Sequence, residues 1–418
     1  MTTAGDGSAS SAVPPQAGTR PPAGPPRVLA GRGALLFGNF VIGCGVMVVA
    51  GSLNDLTRSL QVSVALGGQL ISVAAAVMAL SAPLLAAWVG GVDRRTLLTL
   101  SLVWYGIGHA LCALMPSYAS LLPARALSML AAAVFTPQAA AAIGWLAAPE
   151  LRGRAITFIF LGWSVASVFG MPLHSYIGEA FGWRYAFALV AVLAAIGALW
   201  VWRALPEGIR PPAMNLAGWG QVFTHPALMA IVAVTAMSGA GQFTLFSYFA
   251  PYYRQELHAD PTTVSALFAW FGGFGLVGNL LLSRHVDRIG AGRAATVLLA
   301  GIAISAALWP LASTPAQLMA VILPWALGCF ASNSAQQARL GSAAPALASA
   351  LMALNTSAIY LGQALGAAGG GALMAANQAA GRPPFETLHW ASLAWMVAAV
   401  GLSLWAGRAL ARRSVAHA

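Results

Sequence analysis

Polar residues in this chain are confined to short intervals between long apolar runs. Runs of about 20 or more apolar residues recur from Gly33 to Arg408, each ended by a turn bearing Gly, Pro, Ser or charge. A helix needs about 20 such residues to cross the hydrocarbon core of a bilayer. The pattern predicts an all-α integral membrane protein. Its twelve transmembrane helices fall at roughly 33–53, 65–90, 96–115, 119–147, 155–179 and 184–204, then 226–250, 262–284, 294–312, 316–338, 346–375 and 388–409. The stretch 206–225 is polar and proline-bearing and reads as a linker between two six-helix bundles, 31–205 and 226–410. Residues 1–30, rich in Pro, Ala, Gly and Ser, read as a disordered tail, and 411–418 as a second short one. No apolar h-region precedes the first span, so no signal peptide is expected. The eleventh run is long and glycine-rich, and a bend is expected near Gly369, Gly370 and Gly371.

The two halves carry matching signals. The charged turn Gly90-Gly91-Val92-Asp93-Arg94-Arg95 has an echo in Arg284-His285-Val286-Asp287-Arg288-Ile289-Gly290, with the aspartates 194 positions apart (287 minus 93). Gly162 and Gly170 recur as Gly362 and Gly370, each 200 positions on.

Composition sharpens this picture. Only 7% of residues are charged and 59% are hydrophobic, which excludes a soluble domain. The net charge of +11 would suit a nucleic-acid binder, but the positions of the charges argue otherwise. All 21 basic residues are arginine. Sixteen fall in the tails and alternate loops that are cytoplasmic if the N-terminus is inside; Arg58, Arg184, Arg254 and Arg382 fall in the external loops, and Arg125 lies within the fourth helix. That bias follows the positive-inside rule, so both termini are expected in the cytoplasm and no nucleic-acid partner is expected. The absence of lysine excludes a P-loop and a Schiff base. Cys44, Cys112 and Cys329 sit inside apolar runs without CxxC or Cys/His spacing, so neither a metal nor a cofactor is expected. No nucleophile–base pair suggests an enzyme.

The charged turns, the loop Pro149-Glu150-Leu151-Arg152-Gly153-Arg154, the Gly162 to Pro172 helix and Gly182-Trp183-Arg184-Tyr185 together resemble the major facilitator superfamily. The likeness is closest to bacterial drug and sugar efflux members of the arabinose-efflux-permease type. It implies two pseudo-symmetric six-helix bundles. It also implies that Asp93, Arg94, Arg95, Arg152, Arg154, Asp287, Arg288 and Gly290 form a cytoplasmic gate, opened during transport. Val89, Thr96 and Ser283 replace glycines of the family pattern. Gly162, Gly170 and Pro172 resemble the family's antiporter signature, with His174 where a further glycine often stands. Arg125 matches the arginine of the family pattern R-x-x-Q-G, although Ser128 and Met129 replace its last two residues.

A polar group inside a span is costly unless paired or wet. Asn333, Gln336 and Gln337 occupy i, i+3 and i+4 of the tenth helix, and Thr235, Ser238 and Gln242 line up on the seventh. With Asn39, Gln138, Asn355, Gln363 and Arg125 they are the expected substrate cavity; the alternative for the amides is interhelical hydrogen bonding, and for Arg125 an outer-end arginine snorkelling to the interface. His109, alone among alanines, reads more readily as a packing residue. No carboxylate falls deep in a span, which leaves Asp55, His174 and Glu179 as candidate proton carriers. The expected function is secondary active transport by alternating access in a bacterial inner membrane. The expectation is a monomer exporting a small amphipathic molecule (drug, sugar or metabolite) against protons. Uptake of a sugar or metabolite, and a non-transporting sensor or scaffold, are the alternatives.

Overall fold

The computed structural model describes residues 25–89, 91–147, 152–210, 223–344 and 347–416. Eleven helices among them are long and apolar enough to cross a membrane, and a twelfth span is a bent pair. In the first half these are α1 (Pro25–Leu60), α2 (Val64–Trp88), α3 (Arg94–Leu114), α4 (Tyr118–Leu146), α5 (152–180) and α6 (Trp183–Ala204). In the second they are α7 (Pro226–Phe246, resuming over Phe249–Gln255), α8 (Pro261–Ile289), α9 (Ala291–Leu308), α10 (Pro315–Val321 and Leu323–Ala343), α11 (Ala348–Ala379) and α12 (Leu388–Ala416).

The turns are short because the sequence stops and restarts each helix locally. Ser63, Asp93, Asp260 and Thr314 each accept the backbone N–H three residues on, satisfying a donor that the first helical turn leaves orphaned. Ser117 and Ser120 make a reciprocal capping box at α4. Gly182 (φ 108°) opens α6 and Gly290 (φ 85°) separates α8 from α9, in a backbone region that a side chain resists.

Several spans depart from regular α-helix, mostly near proline. Pro172 has no N–H to offer the carbonyl one turn back, and the turn before it, Ala166–Gly170, widens to a π-helix. α10 bends by 42° at Ile322, just before Pro324. α7 breaks at Ser247–Tyr248. The glycine triplet, by contrast, does not interrupt α11, which runs unbroken from Ala348 to Ala379. Glycine weakens a helix without removing any of its hydrogen bonds, and here close packing on both sides supports it. α1 begins at Pro25, inside the expected tail, and α12 runs on to Ala416; residues 1–24 and 211–222 of the expected tail and linker lie outside the described residues.

The repeated glycines explain why the halves look alike. A Cβ on Gly162 would strike the Leu36 carbonyl of α1, and one on Gly362 would strike the Ala236 carbonyl of α7, again 200 positions on. Gly170 meets Cys44, and Gly370 meets the carbonyl of Thr244. So α5 lies on α1 as α11 lies on α7, with Gly162 and Gly362 against backbone in both halves and Gly170 against the Cys44 sulfur where Gly370 meets backbone. The halves meet through α2 with α11, α5 with α8, and α1 with the Phe249–Gln255 segment. Many of these contacts gather at the end carrying the α1–α2 turn. There Gly68 meets the hydroxyl of Tyr248, Gly371 abuts Gln69 and the Ala65 carbonyl, and Asn54 Nδ2 donates to Ala250 O at 3.2 Å. The molecule is closed at that end.

Candidate functional site

A cavity of about 210 Å³ lies between the halves. α1 contributes Val46, Met47 and Ala50, and α5 contributes Phe160, Trp163 and Ser164. Most of the polar lining comes from the second half: Thr235 and Gln242 of α7, Asn279 of α8, Asn333 and Gln337 of α10, Gln363 of α11. Phe243, Phe246, Phe271 and Tyr360 add aromatic walls. Among the described residues, no lining side chain is formally charged. Gln242 is held in place, donating to Ser238 Oγ at 3.0 Å and accepting from Trp325 Nε1 at 3.1 Å.

The structure divides the expected cavity residues. Gln242, Asn333 and Gln337 border it. Gln336 does not; it turns to α7, with Nε2 3.5 Å from the Ile231 carbonyl and Oε1 buried without a partner. Asn333 and Gln337, four apart, share a stripe that Gln336 misses by most of a third of a turn. Asn39 and Asn355 stand one residue behind the lining, accepting from Thr136 Oγ1 at 2.9 Å and Thr235 Oγ1 at 2.7 Å, and those two threonines face the cavity. Gln138 is buried but does not border it. Gln363 borders it, and so does Asn279, which belongs to no aligned amide stripe in the sequence.

Arg125 departs furthest from expectation. It is fully buried and lies off the cavity, behind α1. Its Nη1 meets His109 Nε2 at 3.1 Å, its Nη2 donates to the Val46 carbonyl at 3.1 Å, and its guanidinium lies 5.8 Å from the centre of the Phe187 ring. An arginine only donates, so His109 Nε2 must be the acceptor. Nδ1, 2.9 Å from the Tyr105 carbonyl, therefore carries the proton, and the ring is neutral. Tyr105 also donates through its hydroxyl to the Ile42 carbonyl at 2.9 Å. His109 is thus a buried, hydrogen-bonded residue packed between α1 and α4, with Arg125 as its side-chain partner. The sequence carried one hint, an arginine and a histidine in neighbouring helices, but not their register.

The three candidate proton carriers are dispersed. Asp55 accepts from the backbone N–H of Trp183 at 2.7 Å and pairs with Arg58 at 2.6 Å, anchoring the start of α6 at the end of α1. Glu179 is half-buried near the end of α5, with one carboxylate oxygen lacking a partner. His174 is fully buried, and neither ring nitrogen has a hydrogen-bond partner.

At the opposite end of the first half, Asp93 joins no ion pair with an arginine among the described residues. Its Oδ1 caps α3 through Thr96 N at 3.2 Å, and its Oδ2 accepts from Gly208 N at 2.7 Å. Arg94 donates to the carbonyls of Val89 and Val92. Arg95 pairs with Glu207 at 2.6 Å and lies over Trp202. The turn therefore grips the chain as it leaves α6. Arg288 and Gly290 are exposed in the α8–α9 turn. The side chains of Arg152, Arg154 and Asp287 lie outside the described residues. Gly162, Gly170 and Pro172 shape the α1–α5 contact already described.

A twelve-span bundle with a polar, uncharged cavity between two similar halves defines a multi-pass membrane transporter. The chain belongs to the Major Facilitator Superfamily, whose family model matches residues 35–367 and again 234–411. It is 29% identical over 347 residues to the inner membrane transport protein YdhP of Escherichia coli (strain K12), covering 82% of this chain and 88% of that one. It is 24% identical over 372 residues to the MFS-type transporter YbcL of Bacillus subtilis (strain 168), covering 88% and 91%. Among solved structures, it resembles a D-xylose-proton symporter with a TM-score of 0.73 at 17% identity, covering 90% of this chain and 97% of that one. An inward-facing, unoccupied bacterial homolog of the human lysosomal transporter Spinster gives 0.70 at 17% identity, covering 93% and 98%. These two likenesses concern the fold alone.

Proposed function

We propose that this transporter exports a small, uncharged, amphipathic molecule in exchange for protons, by rocking its two halves about the central cavity. The cavity lining carries the substrate part of this reading: aromatic rings beside amides and hydroxyls, with no formal charge. Burying an ionic ligand there would leave its charge unmatched, whereas a neutral molecule with an apolar face and several hydroxyl or carbonyl groups would be satisfied. Export is supported by the resemblance of α5, with Gly162, Gly170 and Pro172, to the antiporter signature. An inner-membrane location is supported by the relative YdhP. The arginine bias supports cytoplasmic termini, which makes the closed end the outer one and this conformation inward-facing. The two six-helix units, 31–205 and 226–410, are the bodies that rock, with the α2–α3 and α8–α9 turns as the inner gate.

Everted membrane vesicles with an imposed proton gradient test this, screened with a panel of neutral, cationic and anionic compounds. The expected result is that neutral amphipathic compounds dissipate the gradient and accumulate inside the vesicles. Accumulation only when the gradient is reversed would replace export with uptake, and no response to any compound would remove the transport reading.

A further inference from the structure

We propose that Arg339 is the floor of a binding site for one anionic phospholipid, whose phosphodiester sits in a window between α9 and α12. The proposal needs a chain that spans a bilayer, and it is independent of what the chain carries and in which direction. Arg339 stands one turn before the end of α10, is only 5% exposed, and has no carboxylate partner among the described residues. Its Nη1 donates to Ser403 Oγ at 3.0 Å and its Nη2 to the Ser403 carbonyl at 2.9 Å. Ser403 Oγ lies 2.7 Å from Thr296 Oγ1, which reaches the Gly292 carbonyl at 2.9 Å. Every acceptor in this network is neutral. A guanidinium buried near the end of a span without an anion is costly, and the positive end of α9 beside it, at Gly292, raises the cost.

Glycine holds the approach to that cation open. A Cβ on Gly292 of α9 would lie 3.3 Å from Arg339 Nε, and one on Gly407 of α12 would lie 3.4 Å from Nη2. Gly407 is exposed and Gly292 half-buried, so the guanidinium looks out between two residues that have no side chain to cover it. An arginine follows each of these glycines, Arg293 on α9 and Arg408 on α12, and both are exposed. Neither has an ion-pair partner among the described residues, where the two ion pairs, Arg58–Asp55 and Arg95–Glu207, belong to the first half. A phosphodiester in the window would meet the buried cation from below and have the two rim arginines within reach. It would also lie near the first N–H groups of α9, where Gly290 brings no side-chain cap.

The surroundings favour a lipid over a soluble anion. Both flanking helices carry large apolar side chains on the outer surface: Val297 of α9 is 67% exposed, and Leu404 and Trp405 of α12 are 46% and 50% exposed. A tryptophan beside arginines at the end of a span is the pattern of the headgroup level, and the apolar residues deeper along the two helices give acyl chains a seat. Three arginines without a described carboxylate call for a headgroup of net negative charge, as in phosphatidylglycerol. The ammonium of a zwitterionic lipid would only add a fourth cation. A phosphate held there would tie α9, α10 and α12 together through a group that the chain itself does not supply.

Native mass spectrometry of the full chain in detergent micelles, titrated with phosphatidylglycerol or phosphatidylcholine, tests this. One phosphatidylglycerol per chain should be retained, with a preference of about tenfold or more over phosphatidylcholine. Gly407→Leu is the decisive variant, because it keeps every arginine and fills the window from an exposed position. It should remove most of the preference, whereas Gly401→Leu, at an exposed glycine of the same helix with nothing within 4 Å, should keep it. Arg293→Gln and Arg408→Gln should each lower the affinity by about fivefold, and Arg382→Gln, exposed at the opposite end, should leave it unchanged. Equal retention of the two lipids, or a preference that survives Gly407→Leu, would reduce the effect to general attraction between arginines and anionic lipid and overturn the site. Displacement of the lipid by millimolar inorganic phosphate would make a soluble anion the occupant and overturn the lipid assignment. A chain that holds the lipid but moves no compound would instead sink the transport reading and leave the lipid site standing.

Discussion

Asp93 fastens Gly208 across 115 positions of sequence, its Oδ2 accepting from the glycine N–H at 2.7 Å. The bond ties the turn after α2 to the first residues of the segment leading to the second half, and Arg94 N donates to the Ile209 carbonyl at 3.0 Å beside it. Among the described residues this turn holds by capping and backbone bonds together with the Arg95–Glu207 ion pair, while the side chains of Arg152 and Arg154 lie outside them. Asp93→Asn keeps one acceptor oxygen for two donors, Thr96 N and Gly208 N, and sets an amide N–H against the other. We expect stability to fall by about 1 kcal/mol and transport to drop, with membrane insertion unchanged. Thermal unfolding in detergent and vesicle transport check this, and unaltered transport would reduce the turn to a topology signal.

Gly162 and Gly362 should behave as a pair. Alanine at either position drives a Cβ into a carbonyl of the facing helix, Leu36 in one half and Ala236 in the other. Each substitution should destabilise by about 1–3 kcal/mol. Gly369 is the control, because a Cβ there meets nothing within 4 Å. Gly369→Ala should be neutral or stabilise by up to about 1 kcal/mol, as alanine does in a helix interior. Melting temperatures of the three variants in one detergent decide it, and equal effects would deny the repeat any structural meaning.

Those glycines mark how far the sequence could be read. Their spacing of 200 fell on equivalent helix contacts because a glycine that admits a neighbouring backbone leaves a trace in the chain itself. The twelve apolar runs were legible for the same reason, since each helix is fixed by its own composition against the bilayer. Side-chain direction was not. Gln336 and Gln337 are adjacent in sequence and point about 100° apart on a helix, and how α10 is rotated against α7 decides which of them faces the cavity. Arg125 was visible as an anomaly, but its partner depends on the register of α3 against α4, which no local signal encodes.

That division between Gln336 and Gln337 is open to experiment. Gln337→Ala removes an amide from the cavity wall, and we expect a several-fold change in the ranking of transported compounds. Gln336→Ala removes a hydrogen bond to the Ile231 carbonyl and an unsatisfied oxygen together, so stability should move by no more than about 1 kcal/mol, with the ranking kept. Competition among compounds in vesicles, run side by side on the two variants, reads the difference. A changed ranking in Gln336→Ala with none in Gln337→Ala would mean that another conformation brings Gln336 to the substrate.

Charge in the cavity provides the last test. Asn333 lies on the cavity wall, and no lining side chain among the described residues is charged. Aspartate is nearly the same size as asparagine, so Asn333→Asp changes charge with little change in shape. In a site of low dielectric, a fixed carboxylate attracts a cation strongly and must be desolvated whenever a neutral ligand closes over it. We expect Asn333→Asp to lose transport of neutral compounds by tenfold or so, about 1.4 kcal/mol, and to gain transport of permanently cationic ones, measured with a fluorescent quaternary ammonium dye. The gain matters more than the loss, because a misfolded variant loses everything and gains nothing. If the native chain already carries the dye, the uncharged lining does not select against cations and the substrate class proposed above is wrong.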